Sequence, residues 1–146
     1  MATIDLPDVN VWIALSAPDH VHRARAERYW QEEAAAQLAF STVTMLGLVR
    51  VCSNAPLFAG LPLEPAAAWA MFQGWMGFDQ VVYLSEPVTC RQALDNLVTG
   101  GSVARRTWTD SYLAAFAKMA RLRLVSFDAD FRGYPGLDFL YLFAKP

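Results

Sequence analysis

Three stretches of the chain place aspartates where an apolar run has just ended or is about to begin. They are Ile4-Asp5-Leu6-Pro7-Asp8-Val9-Asn10-Val11, Thr107-Trp108-Thr109-Asp110-Ser111-Tyr112-Leu113 and Val125-Ser126-Phe127-Asp128-Ala129-Asp130-Phe131. Gathered at one sheet edge, such carboxylates make a site for a hard cation. Two ionised carboxylates at ~4 Å repel by ~4 kcal/mol at an effective dielectric near 20, so their convergence calls for a raised pKa or a cation. Mg2+ or Mn2+ suits oxygen donors and leaves waters free to react. Nothing else in the sequence offers comparable chemistry: there is no Cys/His ligand cluster, no locally supported Ser/His pair and no glycine-rich phosphate loop.

The surrounding elements must bring these residues together. Ala2 to Leu6 reads as a strand stopped at Pro7, which leaves Asp8 at its carboxyl end, before a short helical turn from Val11 to Leu15. An amphipathic helix is predicted from His20 to Ala36 with Asp19 as N-cap, then a strand from Gln37 to Ser41 and a helix from Thr42 to Val51. After a Pro/Gly-rich loop, Pro65 opens a helix to about Met76, Val81 to Leu84 is a third strand, and Pro87 opens a helix closed by Gly100-Gly101. Thr109 is the expected N-cap of a helix reaching Arg121, followed by strands from Leu124 to Phe127 and near Leu137 to Leu142. This alternation predicts an α/β fold with helices on both faces of a mostly parallel sheet, whose ligands collect at the strands' carboxyl ends. On the last helix Asp110 shares the stripe of Leu113 and Ala117, three and seven residues on, so it points inward. Alternatives stay open locally. Asp8 could punctuate a turn, and Asp110 could serve the helix dipole.

With 146 residues, of which 55% are hydrophobic and 18% charged, the chain is expected to be one domain with a substantial core and an apolar surface suited to association. The net charge of −2 gives no long-range pull on nucleic acid, but Arg105, Arg106, Lys118, Arg121 and Arg123 cluster in sequence around Asp110. Two distant cysteines, no signal-like start and no apolar run near the ~20 residues of a membrane span suggest a soluble cytoplasmic protein.

Taken together, the Asp8-Val9-Asn10-Val11 start, the helix from Thr109 to Ala117 and the Leu124 to Phe131 strand and turn resemble the PIN domain, in particular the VapC-type toxins of bacterial toxin–antitoxin pairs. The similarity covers essentially the whole chain, 1–146, as a single domain. It implies a three-layer α/β/α fold with about five strands and an endoribonuclease dependent on Mg2+ or Mn2+. It also implies a homodimer neutralised by a small VapB-type antitoxin, and an RNA substrate of the tRNA or rRNA class. By position, Asp8, Asp110 and Asp128 match the catalytic acids, Asp8 and Asp110 the metal ligands, and Asp130 a possible accessory. Asn10, Thr44 and Arg50 are further accessory candidates, Arg50 to touch RNA or to pair with a site carboxylate. One departure is plain: Gly47 stands where the family commonly has a glutamate. A catalytically impaired RNA- or partner-binding module is therefore the alternative. Gly47→Glu, if there is room, should stabilise the helix by roughly 0.5–1 kcal/mol and tighten metal binding.

Other features carry less. His20 and His22 project about 200° apart on a helix and are expected at the surface or in caps. Trp69, Phe72, Trp75 and Met76 have the spacing of core or dimer packing rather than of a base-stacking platform. A receiver-like phosphoacceptor would need a lysine near the last strand, where Lys145 is too terminal and Lys118 sits mid-helix.

Overall fold

The computed structural model describes residues 3–143; Ala2, the expected start of the first strand, and Lys145 lie outside them. Five strands form one sheet: β1 (Ile4–Pro7), β2 (Gln37–Phe40), β3 (Val81–Tyr83), β4 (Arg123–Ser126) and β5 (Phe139–Tyr141). Their order is β3-β2-β1-β4-β5, and every pairing is parallel. The chain steps outward from β1 through β2 to β3, then crosses to β4 on the other side of β1. The order reverses between β1 and β4, and there the crevice above the carboxyl ends opens.

Helices cover both faces. α1 (Val9–Ser16), α2 (Arg23–Arg28), α3 (Thr42–Cys52) and α4 (Pro65–Met76) enclose one core with Leu38, Phe40 and Val125 of the strands. α5 (Cys90–Thr99) and α6 (Trp108–Ala120) enclose the other with Leu6, Ala39 and Leu124. Neighbours along a strand thus serve opposite layers, as the two-residue period requires. Leu124 and Val125, both fully buried, each contribute about 1.5–3 kcal/mol by leaving water. These are the three layers the sequence pattern and the family resemblance anticipate, and no helix among the described residues is long and apolar enough to cross a membrane.

Several boundaries move for identifiable reasons. The helix expected over His20 to Ala36 is α2 followed by a π-helical turn over Tyr29–Glu33, and Ala34 is already extended. Three good helix formers, Ala34 to Ala36, are drawn out of the helix because the fully buried Asp5 needs partners. Ala35 N–H donates to its Oδ2 at 3.0 Å, and the Tyr29 hydroxyl donates to the same oxygen at 2.6 Å. Arg123 completes this network with two bonds to Asp5, 2.8 and 2.9 Å, and one to the Glu33 carbonyl at 2.8 Å. Arg123 is therefore committed, half-buried, to the ion pair with the buried Asp5 carboxylate and not to the basic surface suggested by its place in the sequence.

Asp19 does not cap α2. The N-cap is His22, and the preceding turn is held by His22 N–H donating to His20 Nδ1 at 3.0 Å. α1 starts at Val9, two residues before the expected turn, because Asp8 itself caps it. α5 begins at Cys90, after a turn at Pro87, and Thr107 rather than Thr109 is the N-cap of α6. α6 ends on Arg121, a non-glycine residue in the left-handed region (φ +58°). Its length separates the basic residues: Lys118 and Arg121 lie roughly 12 and 16 Å along the axis from Asp110, leaving only Arg105 and Arg106 close to it in the chain.

Candidate active site

The parallel register sets Pro7 beside Val125, so the next residues, Asp8 and Ser126, stand side by side where β1 and β4 end. Asp8 N–H donates to the Val125 carbonyl at 2.8 Å, which anchors the aspartate's backbone to the sheet. Its side chain then accepts from Val9 N–H at 2.7 Å through Oδ1 and from the Ser126 hydroxyl at 2.9 Å through Oδ2. One conformation of Asp8 thus caps α1 and ties its carboxylate to Ser126 across the two strand ends.

Ser126 supports this aspartate without any motif that marks it in the sequence. It is fully buried, and Asn10 Nδ2 and Asp128 N–H both donate to its oxygen, at 3.1 and 3.0 Å. With its lone pairs taken, its single proton goes to Asp8. Asn10 Oδ1 in turn accepts from Phe127 N–H at 3.3 Å, so the two strand ends are stitched together by side chains. The only sequence signal was a hydroxyl residue interrupting the apolar run Leu124-Val125-Ser126-Phe127.

Asp128 follows β4 and caps the 3-10 turn Ala129–Gly133, accepting from Asp130 N–H at 2.8 Å. Asp110 enters from the opposite layer, in the first turn of α6. Burial, first, and then the fields of Asp8, Asp128 and Asp130 push its carboxyl up to about 6. Burial also raises the Asp8 carboxyl, against the Ser126 and Val9 hydrogen bonds that lower it, with Asp128 adding repulsion. The structure thus brings Asp8, Asp110 and Asp128 within reach of one another's charge, with the exposed Asp130 at the margin.

The remaining candidates separate. Thr44 is buried in a capping box, its hydroxyl accepting from Ser41 N–H at 2.9 Å, while Ser41 Oγ accepts from Thr44 N–H at 3.2 Å; both hydroxyls are engaged in starting α3. Arg50 is exposed and forms no ion pair among the described residues, so it does not bind a site carboxylate. Gly47 lies against α1: a Cβ there would stand 2.5 Å from Val9 Cγ2. Valine is stiff at χ1, so the room that Gly47→Glu requires is absent and the expected helix stabilisation is lost. Of the tryptophan stretch, Phe72 is buried and Trp75 Nε1 donates to Ser16 Oγ at 2.8 Å, as core packing predicts. Trp69 differs. It is 45% exposed and lines, with Asp8, Gly47, Arg50, Pro65 and Thr109, a groove of about 730 Å³.

All the donors at the site are hard oxygens, and their mutual repulsion is what a divalent cation relieves. Among the described residues no three Asp, Glu, His or Cys side chains close into a ready-made cage. Carboxylate oxygens suit an ion of the Mg2+ class, which keeps several waters and needs only one or two carboxylates plus substrate oxygens.

The family model described as PIN domain matches residues 6–137. The chain belongs to the PIN-domain family. It is 33% identical over 146 residues to ribonuclease VapC41 of Mycobacterium tuberculosis, covering 96% of this chain and 99% of that protein. To ribonuclease VapC39 of the same organism it is 33% identical over 131 residues, 85% of this chain and 88% of the relative. Among solved structures, this PIN domain superposes on DNA-bound VapBC from Salmonella typhimurium with a TM-score of 0.67 at 17% identity, covering 97% of this chain and 99% of the other. It superposes on VapC20 of M. tuberculosis, a sarcin-ricin loop cleaving toxin, with a TM-score of 0.62 at 17% identity, covering 88% and 92%.

Proposed function

We propose that this PIN-domain protein is a divalent-metal-dependent endoribonuclease toxin that hydrolyses structured RNA of the tRNA or rRNA class and is neutralised by a VapB-type antitoxin. The observation that carries the reading is the convergence of Asp8, Asp110 and Asp128 from a strand end, a helix and a second strand end at the sheet's switch point, where burial first and then the neighbouring carboxylates push Asp110 up to about 6. The ribonuclease relatives support the reaction, and the VapBC neighbour supports the partner.

Asp8 and Asp110 would hold Mg2+ or Mn2+, which when bound supplies positive charge against the scissile phosphate and makes a water more acidic. Asp128 orients the attacking water opposite the leaving oxygen. Ser126 and the Val9 N–H hold Asp8 in its rotamer, and Asn10 fixes Ser126, so the carboxylate need not reorganise as charge develops. The antitoxin blocks the site by presenting a basic side chain, Arg above all, to the same carboxylates. A homodimer through the apolar surface of the Trp69 to Met76 region and the short amphipathic helices belongs to the same reading, and light scattering at micromolar concentration checks it.

Incubating the protein with total RNA and Mg2+ or Mn2+ and mapping new ends tests the activity. Cleavage abolished by EDTA, by Asp8→Asn and by Asp110→Asn is expected. Intact RNA under all conditions would leave the impaired RNA- or partner-binding module, the reading that Gly47 favours.

A further inference from the structure

α3 presents Val43, Leu46, Gly47 and Arg50 to the groove, a stripe at i, i+3, i+4 and i+7 along one helix face. Gly47 packs on Val9, the residue after Asp8, so this stripe passes beside Asp8, which lines the same groove. Arg50 lies one turn farther on, roughly 4.5 Å along the axis. Trp69 of α4 belongs to the same groove, with nearly half its surface open to solvent.

Among the described residues Asp8 is the only acidic one lining the groove, and Arg50 has no ion-pair partner. A free guanidinium and an open indole thus flank a channel that ends where a phosphodiester would react. Phosphate oxygens match the guanidinium fork, and an unpaired base matches the indole face.

We infer that Arg50 and Trp69 form a nucleotide subsite next to the cleavage position: Arg50 takes the neighbouring phosphate, and Trp69 stacks an unpaired base. The inference rests on the ribonuclease reading above and narrows its substrate to RNA with at least one unstacked nucleotide beside the scissile bond. A base that reaches Trp69 must leave its helix, so loops, bulges and single strands are cut and continuous duplex is not.

The probe is a set of short fluorescein-labelled single-stranded oligoribonucleotides, with binding read by fluorescence polarisation in EDTA. The parent is the full chain carrying Asp110→Asn, which relieves charge repulsion and prevents cleavage. Trp69→Ala should weaken binding roughly tenfold, and Trp69→Phe should retain most of the affinity. Arg50→Gln should lower the slope of log affinity against log salt by about one. An abasic nucleotide scanned along the strand should reproduce the Trp69→Ala loss at one position and add nothing to it in that variant. Thermal melting confirms that each variant is folded.

A parent that binds RNA with affinity and salt slope unchanged by either substitution overturns the subsite and leaves the ribonuclease reading standing. The same holds if the substitutions instead dissociate a dimer or release an antitoxin-derived helical peptide while RNA binding persists, which would assign the groove to protein. A parent that binds no RNA, with a wild type that leaves total RNA intact, overturns both.

Discussion

Replacing Asp110 by asparagine should stabilise the metal-free protein at neutral pH. The carboxyl is raised from 3.8 to about 6, mainly by burial and then by Asp8, Asp128 and Asp130. At 1.36 kcal/mol per unit, the full shift corresponds to about 3 kcal/mol against the folded state. The side chain is only half-buried, and solvent screening reduces this to about 1.5 kcal/mol. Asparagine also gives up the attraction of a charge for the N-terminus of α6, about 0.3–1 kcal/mol, so the net gain is roughly 0.5–1 kcal/mol. The folded-state pKa lies above the unfolded one, so the native protein binds more protons between about pH 4 and pH 6, and stability falls as pH rises through that window. Wild type and variant should therefore match near pH 4 and differ fully above pH 6. Urea unfolding in EDTA at intervals from pH 4 to pH 8 measures the gap, and repeating it at pH 7.5 with excess Mn2+ should narrow or reverse it. Only the wild type has both carboxylates to gain from an ion that binds the native state. A gap that does not change with pH, or a variant less stable than wild type at pH 7.5 without metal, would refute the electrostatic account of the site.

Three further outcomes follow from the geometry. Gly47→Ala should cost about 1–2 kcal/mol of stability, because crowding against Val9 Cγ2 outweighs the helix propensity gained; combining it with Val9→Ala should recover most of the loss in a denaturant double-mutant cycle. Ser126→Ala should reduce RNA cleavage at least tenfold with the fold retained, since Asp8 Oδ2, Asn10 Nδ2 and Asp128 N–H all lose their partner; melting and cleavage rates measured together check this. Asp5→Ala should destabilise by about 3–5 kcal/mol by stranding Arg123, while whatever protein remains folded still cleaves RNA, because this ion pair is not part of the carboxylate cluster.

Local chemistry makes much of this protein legible in its sequence. The alternation of apolar runs with amphipathic stretches predicts strands and helices in the observed order, because each burial period is written into neighbouring residues. The placing of Asp8, Asp110 and Asp128 at element ends was legible for the same reason, and register and topology supplied the convergence. Where the pattern misled, a distant residue had intervened. Ala34 to Ala36 favour a helix, yet the buried Asp5 carboxylate draws Ala35 out of it. Arg123 reads as one more surface cation until it is found holding that carboxylate from the neighbouring strand.

The chain by itself thus determined the sheet, its helical layers and the acids available for chemistry, since these depend on residue type and spacing of a few positions. Only tertiary structure decided which groups support the acids and what surrounds them. Ser126 meets Asp8 across 118 positions because β1 and β4 pair in a particular register. Gly47 is closed off by Val9 because α3 packs on α1, and Trp69 reaches a groove shared with Arg50 while Trp75 and Phe72 of the same helix turn inward. Such relations depend on how whole elements dock, a contact between distant parts of the chain that no local spacing encodes.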